Sequence, residues 1–293
     1  MAITTRDMKS QKIGWIGLGT MGIPMVQSLL RANYSVTAFN RSRAKANAIQ
    51  KEGVELVDTP AALISNTDVV IIMVTDDQAI KDIFQGVNGL LSAEVSGKTI
   101  INMSTVSPAI SIEMEALCLA NGHRYLDAPV SGSVKQATEA TLVIIAGGDQ
   151  QVFEEVKPIL ESLGKLAIRF GATGSGNKVK LIVNTFLAIQ AQALAEAMAF
   201  AEKLDVDQHE LMTVLNSGAL GSPFVKIKGE AILADNFKPA FSLNNIVKDL
   251  KLASDIGLDF PLGTTALHTF DSAAAAYGTE DIIGVINALR SGS

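Results

Sequence analysis

Two sets of residues in this sequence have the types and spacing to do chemistry. The first is Gly17-Leu-Gly-Thr-Met-Gly22 near the start of the chain. A G-x-G-x-x-G run between a short apolar stretch, Lys12 to Ile16, and a helical pattern reaching about Arg31 suits a dinucleotide pyrophosphate. Gly17 makes the tight turn, Gly19 lets the backbone approach the phosphates, and Gly22 lets helix pack on strand. The helix amino end then faces the anion. Leu18, Thr20 and Met21 share this turn as cofactor-binding residues. The second set is Lys180 and Asn184, in Gly171-Ala-Thr-Gly-Ser-Gly-Asn-Lys-Val-Lys-Leu-Ile-Val-Asn184. Four residues apart on a helix, they share one face. A lysine and an asparagine on an otherwise apolar helix need a reason; a lysine snorkelling at a helix end is the alternative to a functional pair.

The elements that must hold these residues follow from the apolar pattern. Ser35 to Phe39 reads as the second strand, ending in Asn40-Arg41-Ser42-Arg43 with Lys45 beyond. An acid at that strand end would select NAD by binding the ribose. Here the strand itself ends in cations, so the reading is NADP(H), with Asn40, Arg41 and Ser42 as cofactor residues. Asp68 to Val74 is a continuous apolar run, as in a parallel sheet covered on both faces, and Met73 and Val74 end it at the cofactor side. Further strands are expected at Thr99 to Met103, Tyr125 to Ala128, Leu142 to Ala146 and Ala167 to Phe170, with a helix from Gln150 to Leu163. Beyond Gly171 the pattern turns helical: a helix capped by Ser175 that is Gly- and Pro-free from after Gly176 to about Leu204, then helices near 207–217, 221–233, 241–257, 262–277 and 279–290. This predicts an α/β dinucleotide-binding domain at 1–171 and an all-helical domain at 172–293.

Composition narrows the classes. The chain has 293 residues, 48% of them hydrophobic, and a formal net charge of −6, which argues against nucleic-acid and anionic-membrane partners. Cys118 is the only cysteine, so a reducing, cytoplasmic setting is expected; it reads as a small core residue. His123, His209 and His268 lack ligand spacing, so no metal is expected. The first eleven residues contain no apolar run and are not expected to be a secretory signal. Leu181 to Phe200 is apolar but carries Asn184, Gln190, Gln192 and Glu196, so a buried helix is expected rather than a membrane span.

Four motifs now stand in order: Gly17-x-Gly19-x-x-Gly22, Asp127-Ala-Pro-Val-Ser-Gly132, Gly171-x-x-Gly174-x-Gly176-x-x-x-Lys180-x-x-x-Asn184, and Lys248-Asp249-Leu-Lys-Leu-Ala253. Together, over residues 12 to about 290, they closely resemble the β-hydroxyacid dehydrogenase family, which includes 3-hydroxyisobutyrate dehydrogenases, tartronate semialdehyde reductases and glyoxylate/succinic semialdehyde reductases. The resemblance implies a Rossmann domain, an all-α C-terminal domain and a long interdomain helix joining them. It implies Lys180 as the catalytic lysine with Asn184 its companion, and Ser131 and Gly132 as binders of the substrate carboxylate. It also implies Thr105 and Lys248 as cofactor- and site-lining residues, and Phe241 and Asp249 as site-facing, as in plant-type glyoxylate/succinic semialdehyde reductases.

The chemistry agrees. Reducing an aldehyde takes a hydride from nicotinamide and a proton on the carbonyl oxygen. A lysine can supply that proton, Asn184 can hydrogen-bond the substrate or hold the lysine, and Ser131 with nearby backbone N–H groups suits a carboxylate. Two departures from the family pattern stand out: Ser131-Gly-Ser133 where many members have Ser-Gly-Gly, and Ala140-Thr-Leu142 where many have Gly-Thr-Leu. The Ser-Gly-Ser form with Asn40-Arg41 resembles the NADPH-using semialdehyde reductase branch. The leading reading is NADPH-dependent reduction of a small, carboxylate-bearing semialdehyde. The alternatives are an oxidative 3-hydroxyisobutyrate or other 3-hydroxyacid dehydrogenase, and a non-catalytic nucleotide-binding protein. The resemblance also implies a homodimer or homotetramer built through the helical domain. Ala188, Ala191, Ala195 and Ala199 offer a small-residue face for close helix approach, within the chain or between subunits.

Overall fold

The computed structural model describes residues 11–291, apart from the side chains of Ala44, Lys45 and Ala48; Lys45 as a cofactor-side cation, and most of the first eleven residues, lie outside what is described. Contacts divide the chain into two compact units, Met1–Lys180 and Leu181–Ser293. The division falls inside the long helix rather than at its start.

The first unit alternates strand and helix. Its elements are β1 (Lys12–Ile16), α1 (Gly22–Arg31), β2 (Ser35–Phe39), α2 (Arg43–Gln50), β3 (Glu55–Leu56), α3 (Pro60–Asn66), β4 (Val69–Ile72), α4 (Asp77–Gln85), β5 (Thr99–Asn102), α5 (Pro108–Ala120), β6 (Arg124–Asp127), β7 (Val130–Ser131), α6 (Val134–Thr138), β8 (Leu142–Gly148), α7 (Gln150–Glu161) and β9 (Gly164–Arg169). The sheet order is β3-β2-β1-β4-β5-β6-β8-β7, with β9 on β8. Pairs from β3 through β6 are parallel; β8 runs antiparallel to β6 and β7 and parallel to β9.

Side chains alternate across the parallel strands, and both faces are covered. Val69 and Ile71 of β4 join the core that holds Ile13, Trp15 and Leu29. Val70 and Ile72 join the core of Leu63, Phe84 and Met114 on the other side. That is why β4 is apolar throughout. Helix starts follow local chemistry: the side chains of Thr59, Asp76, Ser107 and Asp149 accept the amides of Ala62, Ala79, Ile110 and Val152, and proline opens α3 and α5. Cys118 is fully buried on α5, and burial pushes its thiol up to about 12.

The long helix α8 (Ser175–Lys203) spans 29 residues, about 40 Å at 1.5 Å per residue. Ser175 is its first helical residue, not its cap. The capping acceptor comes from the sheet: Asp127, fully buried at the end of β6, accepts Gly174 N–H on Oδ1 and Asn177 N–H on Oδ2, each at 2.8 Å. A buried carboxylate thus takes two amides at the start of the helix and favours its positive end.

The second unit continues with α9 (Gln208–Ser217), α10 (Pro223–Leu233), α11 (Leu243–Asp255), α12 (Pro261–Tyr277) and α13 (Val285–Ser291); its described residues contain one isolated bridge, Ser242 to Asp281. α8 is the one helix among the described residues long and apolar enough to cross a membrane. Its apolar character has a local use: Ala188, Ala191, Leu194, Ala195 and Met198 share a core with Leu250, Ala266 and Phe270. The alanine stripe therefore packs within this chain, where small side chains admit neighbouring helices.

Among the described residues, four non-glycine positions have left-handed backbone: Asn33, Asp205, Asp235 and Ala140. Asn and Asp tolerate it; Ala140, at φ +53°, stands where many family members carry glycine. A Cβ in this region costs about 1–2 kcal/mol, against about 0.5–1 kcal/mol for glycine's extra freedom when unfolded. Ala140→Gly is therefore expected to raise stability by up to about 1.5 kcal/mol, read as a higher urea midpoint at unchanged slope; a lower midpoint would contradict the strain.

Candidate functional site

The glycine turn after β1 divides its work among three positions. Gly17 has φ +103°, and a Cβ on it would lie 2.1 Å from the Met73 carbonyl oxygen. A Cβ on Gly22 would lie 2.0 Å from the Gly17 carbonyl oxygen and 3.1 Å from Trp15 Nε1. The fold itself demands glycine at both. A Cβ on Gly19 would meet nothing within 4 Å, so glycine there leaves open room beside the amino end of α1. A backbone cradle bordering a helix amino end fits a dinucleotide pyrophosphate. Thr20 is exposed and Met21 half-buried in the same turn.

Asn40 ties this turn to the exit of β2. Its Oδ1 accepts Leu18 N–H at 2.9 Å, and its Nδ2 donates to the Ser42 carbonyl at 2.8 Å. Arg41 and Ser42 are exposed. Beside them lies a cavity of about 140 Å³ lined by Ala38, Asn40, Arg41, Arg43, Val57 and Asp58, among others. The end of β2 itself carries no acid, but one reaches this cavity from beyond β3. Asp58, just beyond β3, brings a carboxylate to the cavity and forms an ion pair with Arg43. A two-residue strand gives no alternation to read, so the proximity of Asp58 was invisible in the sequence.

The loops leaving β4 and β5 are stitched by buried polar groups. Val74 N–H donates to Ser104 Oγ at 2.9 Å, and Ser104 N–H to Asn102 Oδ1 at 3.0 Å. Thr105 is half-buried, and Val106 N–H, next in chain, donates to Asn177 Oδ1 at 3.0 Å. Ser131 is half-buried on β7, followed by Gly132 at φ +134°. Ser133 is extended and holds Gln136 Oε1 through its amide and its hydroxyl; serine thus replaces the family's glycine at no backbone cost. Burial raises the Asp127 carboxyl above the usual range, opposed by the amides of Asn177 and Gly174.

Lys180 lies on the first turns of α8 and is only 8% exposed, whereas Lys178 is exposed. One turn after Lys180 comes Asn184, also buried. In the helical unit Asp249, 2% exposed, accepts Asn184 Nδ2 at 2.5 Å on one oxygen and sets the other 2.8 Å from Lys248 Nζ. Asn184, Lys248 and Asp249 thus form one cluster. Phe241 is half-buried, in a loop held by Asp281, which accepts Ala240 N–H at 2.9 Å and pairs with Lys228 at 2.6 Å. Lys251 is exposed and pairs with Asp271. A wider depression of about 640 Å³ between α9 and α10 is lined by none of these residues. Among the described residues, no group of three or more His, Cys, Asp or Glu is placed to hold a metal.

The first unit therefore gathers the Gly17–Gly22 turn, Asn40–Ser42, Met73–Val74 and Thr105 along the carboxyl ends of β1, β2, β4 and β5. The second gathers Asn184, Lys248 and Asp249. Asp127, Asn102, Ser104 and Asn177 hold these loops and the start of α8 together, although the sequence alone gives them no role. Polar residues at strand ends next to glycine-rich turns were the available signal.

Comparisons with known proteins agree with this geometry. Residues 12–174 match the model described as the NAD binding domain of 6-phosphogluconate dehydrogenase. Residues 174–289 match that described as NAD-binding of NADP-dependent 3-hydroxyisobutyrate dehydrogenase. The chain is 32% identical over 284 residues to glyoxylate/succinic semialdehyde reductase 1 of Arabidopsis thaliana, covering 95% of this chain and 98% of that one. It superposes on Mycobacterium tuberculosis 3-hydroxyisobutyrate dehydrogenase, solved with L-serine, with a TM-score of 0.87 at 32% identity, covering 96% and 99% of the two chains. It is also 35% identical over 269 residues to the cytokine-like nuclear factor N-PAC of Anopheles gambiae, covering 90% of this chain but 48% of that protein; the chain spans about half the length of these nuclear-factor relatives. With a Rossmann sheet, a long helix leading into an all-α unit, and both family models matched in order, the chain belongs to the β-hydroxyacid dehydrogenase family of NAD(P)-dependent oxidoreductases, related to the 3-hydroxyisobutyrate dehydrogenases.

Proposed function

We propose that this protein uses NADPH to reduce a small carboxylate-bearing semialdehyde, of the glyoxylate or succinic semialdehyde type, to the hydroxyacid. The observation that carries the reading is Lys180: a buried lysine on the first turns of α8, one turn from Asn184, in a family whose chemistry is carbonyl reduction and alcohol oxidation. An amine can give a proton to the carbonyl oxygen and take one back in the oxidative direction, which a guanidinium does not. The bound nicotinamide supplies the hydride. Gly17 to Gly22 would hold its pyrophosphate, with Met73, Val74 and Thr105 lining the cofactor side of the first unit; the family resemblance gives Lys248, in the second unit, a cofactor-lining role as well. Ser131 and Gly132 would orient the substrate carboxylate; the family resemblance gives Phe241 a site-facing role. Asp249 fixes the Asn184 amide, so that Asn184 can hold either the substrate or the Lys180 amine.

The preference for NADPH rests on Arg41, exposed beside the β2 cavity; Asp58 in that cavity is already paired with Arg43. The second reading, oxidation of a 3-hydroxyacid by the same residues in reverse, is favoured by similarity to the mycobacterial dehydrogenase, equal in identity to that with the plant reductase. One fold can serve different functions, so the catalytic reading rests on Lys180 rather than on the fold.

We also infer a homodimer or homotetramer. Ile182 and Phe186 near the start of α8, and Phe200 near its end with Leu204 just beyond it, are 57–67% exposed; the members of each pair are four residues apart, so each pair presents an apolar patch that an assembly would cover. Light scattering should give two or four times the 30.9 kDa chain mass; a particle of single-chain mass at micromolar concentration would rule the assembly out.

Steady-state kinetics on semialdehydes and 3-hydroxyacids with both cofactors test the reading. The highest kcat/KM is expected for a semialdehyde with NADPH. Arg41→Ala should lower NADPH efficiency at least about tenfold, as a charge-assisted contact is worth about 1.5–3 kcal/mol. Equal use of NADH and NADPH by the wild type would contradict the cofactor reading, and absence of turnover with every pair would contradict the enzymatic one.

A further inference from the structure

Asn177 is fully buried and makes contacts that neither the cofactor nor the substrate reading uses. Its Oδ1 accepts Val106 N–H at 3.0 Å. Its Nδ2 donates to Ser111 Oγ at 3.2 Å and reaches Asp127 Oδ2 at 3.5 Å. Its own backbone N–H donates to Asp127 Oδ2 at 2.8 Å. Val106 directly follows Thr105, and two residues back Ser104 receives Val74 N–H and is itself held by Asn102. Asn102 Nδ2 in turn donates to the Tyr125 hydroxyl at 3.1 Å. One amide therefore ties the loops leaving β4 and β5 to the first turn of α8.

That turn also carries Lys180. Residues three apart on a helix are surface neighbours, so whatever holds Asn177 also sets the rotation and height of Lys180. The amide meets the demands of this position because it accepts Val106 N–H and donates to Ser111 at once without charge. An aspartate would set a second carboxylate 3.5 Å from Asp127, where two like charges repel. An apolar side chain would leave the buried Val106 N–H without its acceptor.

We propose that Asn177 is a positioning residue for proton delivery, fixing the separation between the Thr105 loop and the Lys180 amine. The proposal rests on Lys180 being the proton donor. A displacement near 1 Å at a reacting group costs on the order of 10²-fold in rate, so the effect belongs in kcat rather than in binding.

The test compares Asn177→Ala, Asn177→Asp, Ser111→Ala and Lys180→Ala, with Ile159→Val in the α7 core as a stability control. Each is measured by stopped-flow hydride transfer from NADPH to glyoxylate or succinic semialdehyde, by NADPH fluorescence titration and by thermal unfolding. Asn177→Ala and Asn177→Asp should each lose about 10- to 100-fold in kcat, with KM for the aldehyde and Kd for NADPH within about threefold of wild type. Ser111→Ala should show the same pattern with a loss of about three- to tenfold, the worth of one neutral hydrogen bond. Lys180→Ala should lose about 10²–10⁴. A folded Asn177→Ala with wild-type kcat beside a disabled Lys180→Ala overturns the positioning role and leaves the proton donor standing. Near-wild-type turnover in Lys180→Ala removes the underlying reading instead. A loss confined to KM or to NADPH Kd, or one matched by Ile159→Val at the same drop in melting temperature, also overturns the proposal. If Asn177→Ala fails to fold, wild-type kcat in Ser111→Ala overturns it.

Discussion

The rest of the site depends on a carboxylate buried at the end of a strand. Asp127 is withdrawn from water at the end of β6, where an isolated charge is costly. It is kept there by two amide donors at 2.8 Å from the start of α8 and by the positive end of that helix. Close approach makes these contacts possible. A Cβ on Gly147 would lie 2.5 Å from Asp127 Oδ1, and one on Gly176 would lie 2.4 Å from the Ile145 carbonyl oxygen. The glycines before Lys180 thus serve the seating of the helix against β6 and β8. Gly174, at φ +89°, turns the chain into it.

With α8 seated, the work of the molecule separates along the chain. The carboxyl ends of β1, β2, β4 and β5 hold backbone and small polar groups suited to phosphates and sugars. The first turns of α8 present the one buried lysine of that stretch. In the helical unit Asp249 uses both oxygens, on Asn184 and Lys248. A carboxylate between an amide and an ammonium is electrostatically stabilised, and its hydrogen bond to Asn184 orients that amide.

Much of this was legible in the sequence where signals were local. β1 and β2 lie where their apolar runs predict, and the turn between β1 and α1 has the geometry that its glycine spacing implies. The helical character after α8 followed from the loss of strand pattern. Strands of two residues, β3 and β7, leave no periodic trace, and with β3 went the position of Asp58. The cap of α8 was misplaced because Ser175 satisfies a local rule while the actual acceptor lies far back in the chain, on β6. The alanine stripe on α8 signalled close packing but could not say against what; the structure places it in the chain's own core. Ala140 departs from the family's glycine, yet only the backbone angle shows that the departure carries strain. Asn177, inside a glycine-rich motif, had no periodic or compositional signal at all, since its partners are 66 and 71 residues away.

The central claim is that the amine of Lys180 moves the proton, and chemical rescue tests it most directly. Lys180→Ala, supplied with small primary amines in solution, should recover part of its hydride-transfer rate in proportion to amine concentration, with a dependence on amine acidity. Lys180→Arg should stay inactive, because a guanidinium does not release its proton, and Lys178→Ala, which alters an exposed lysine, should need no rescue. Near-wild-type turnover in Lys180→Ala without added amine, or an equal loss in Lys178→Ala, would contradict the account.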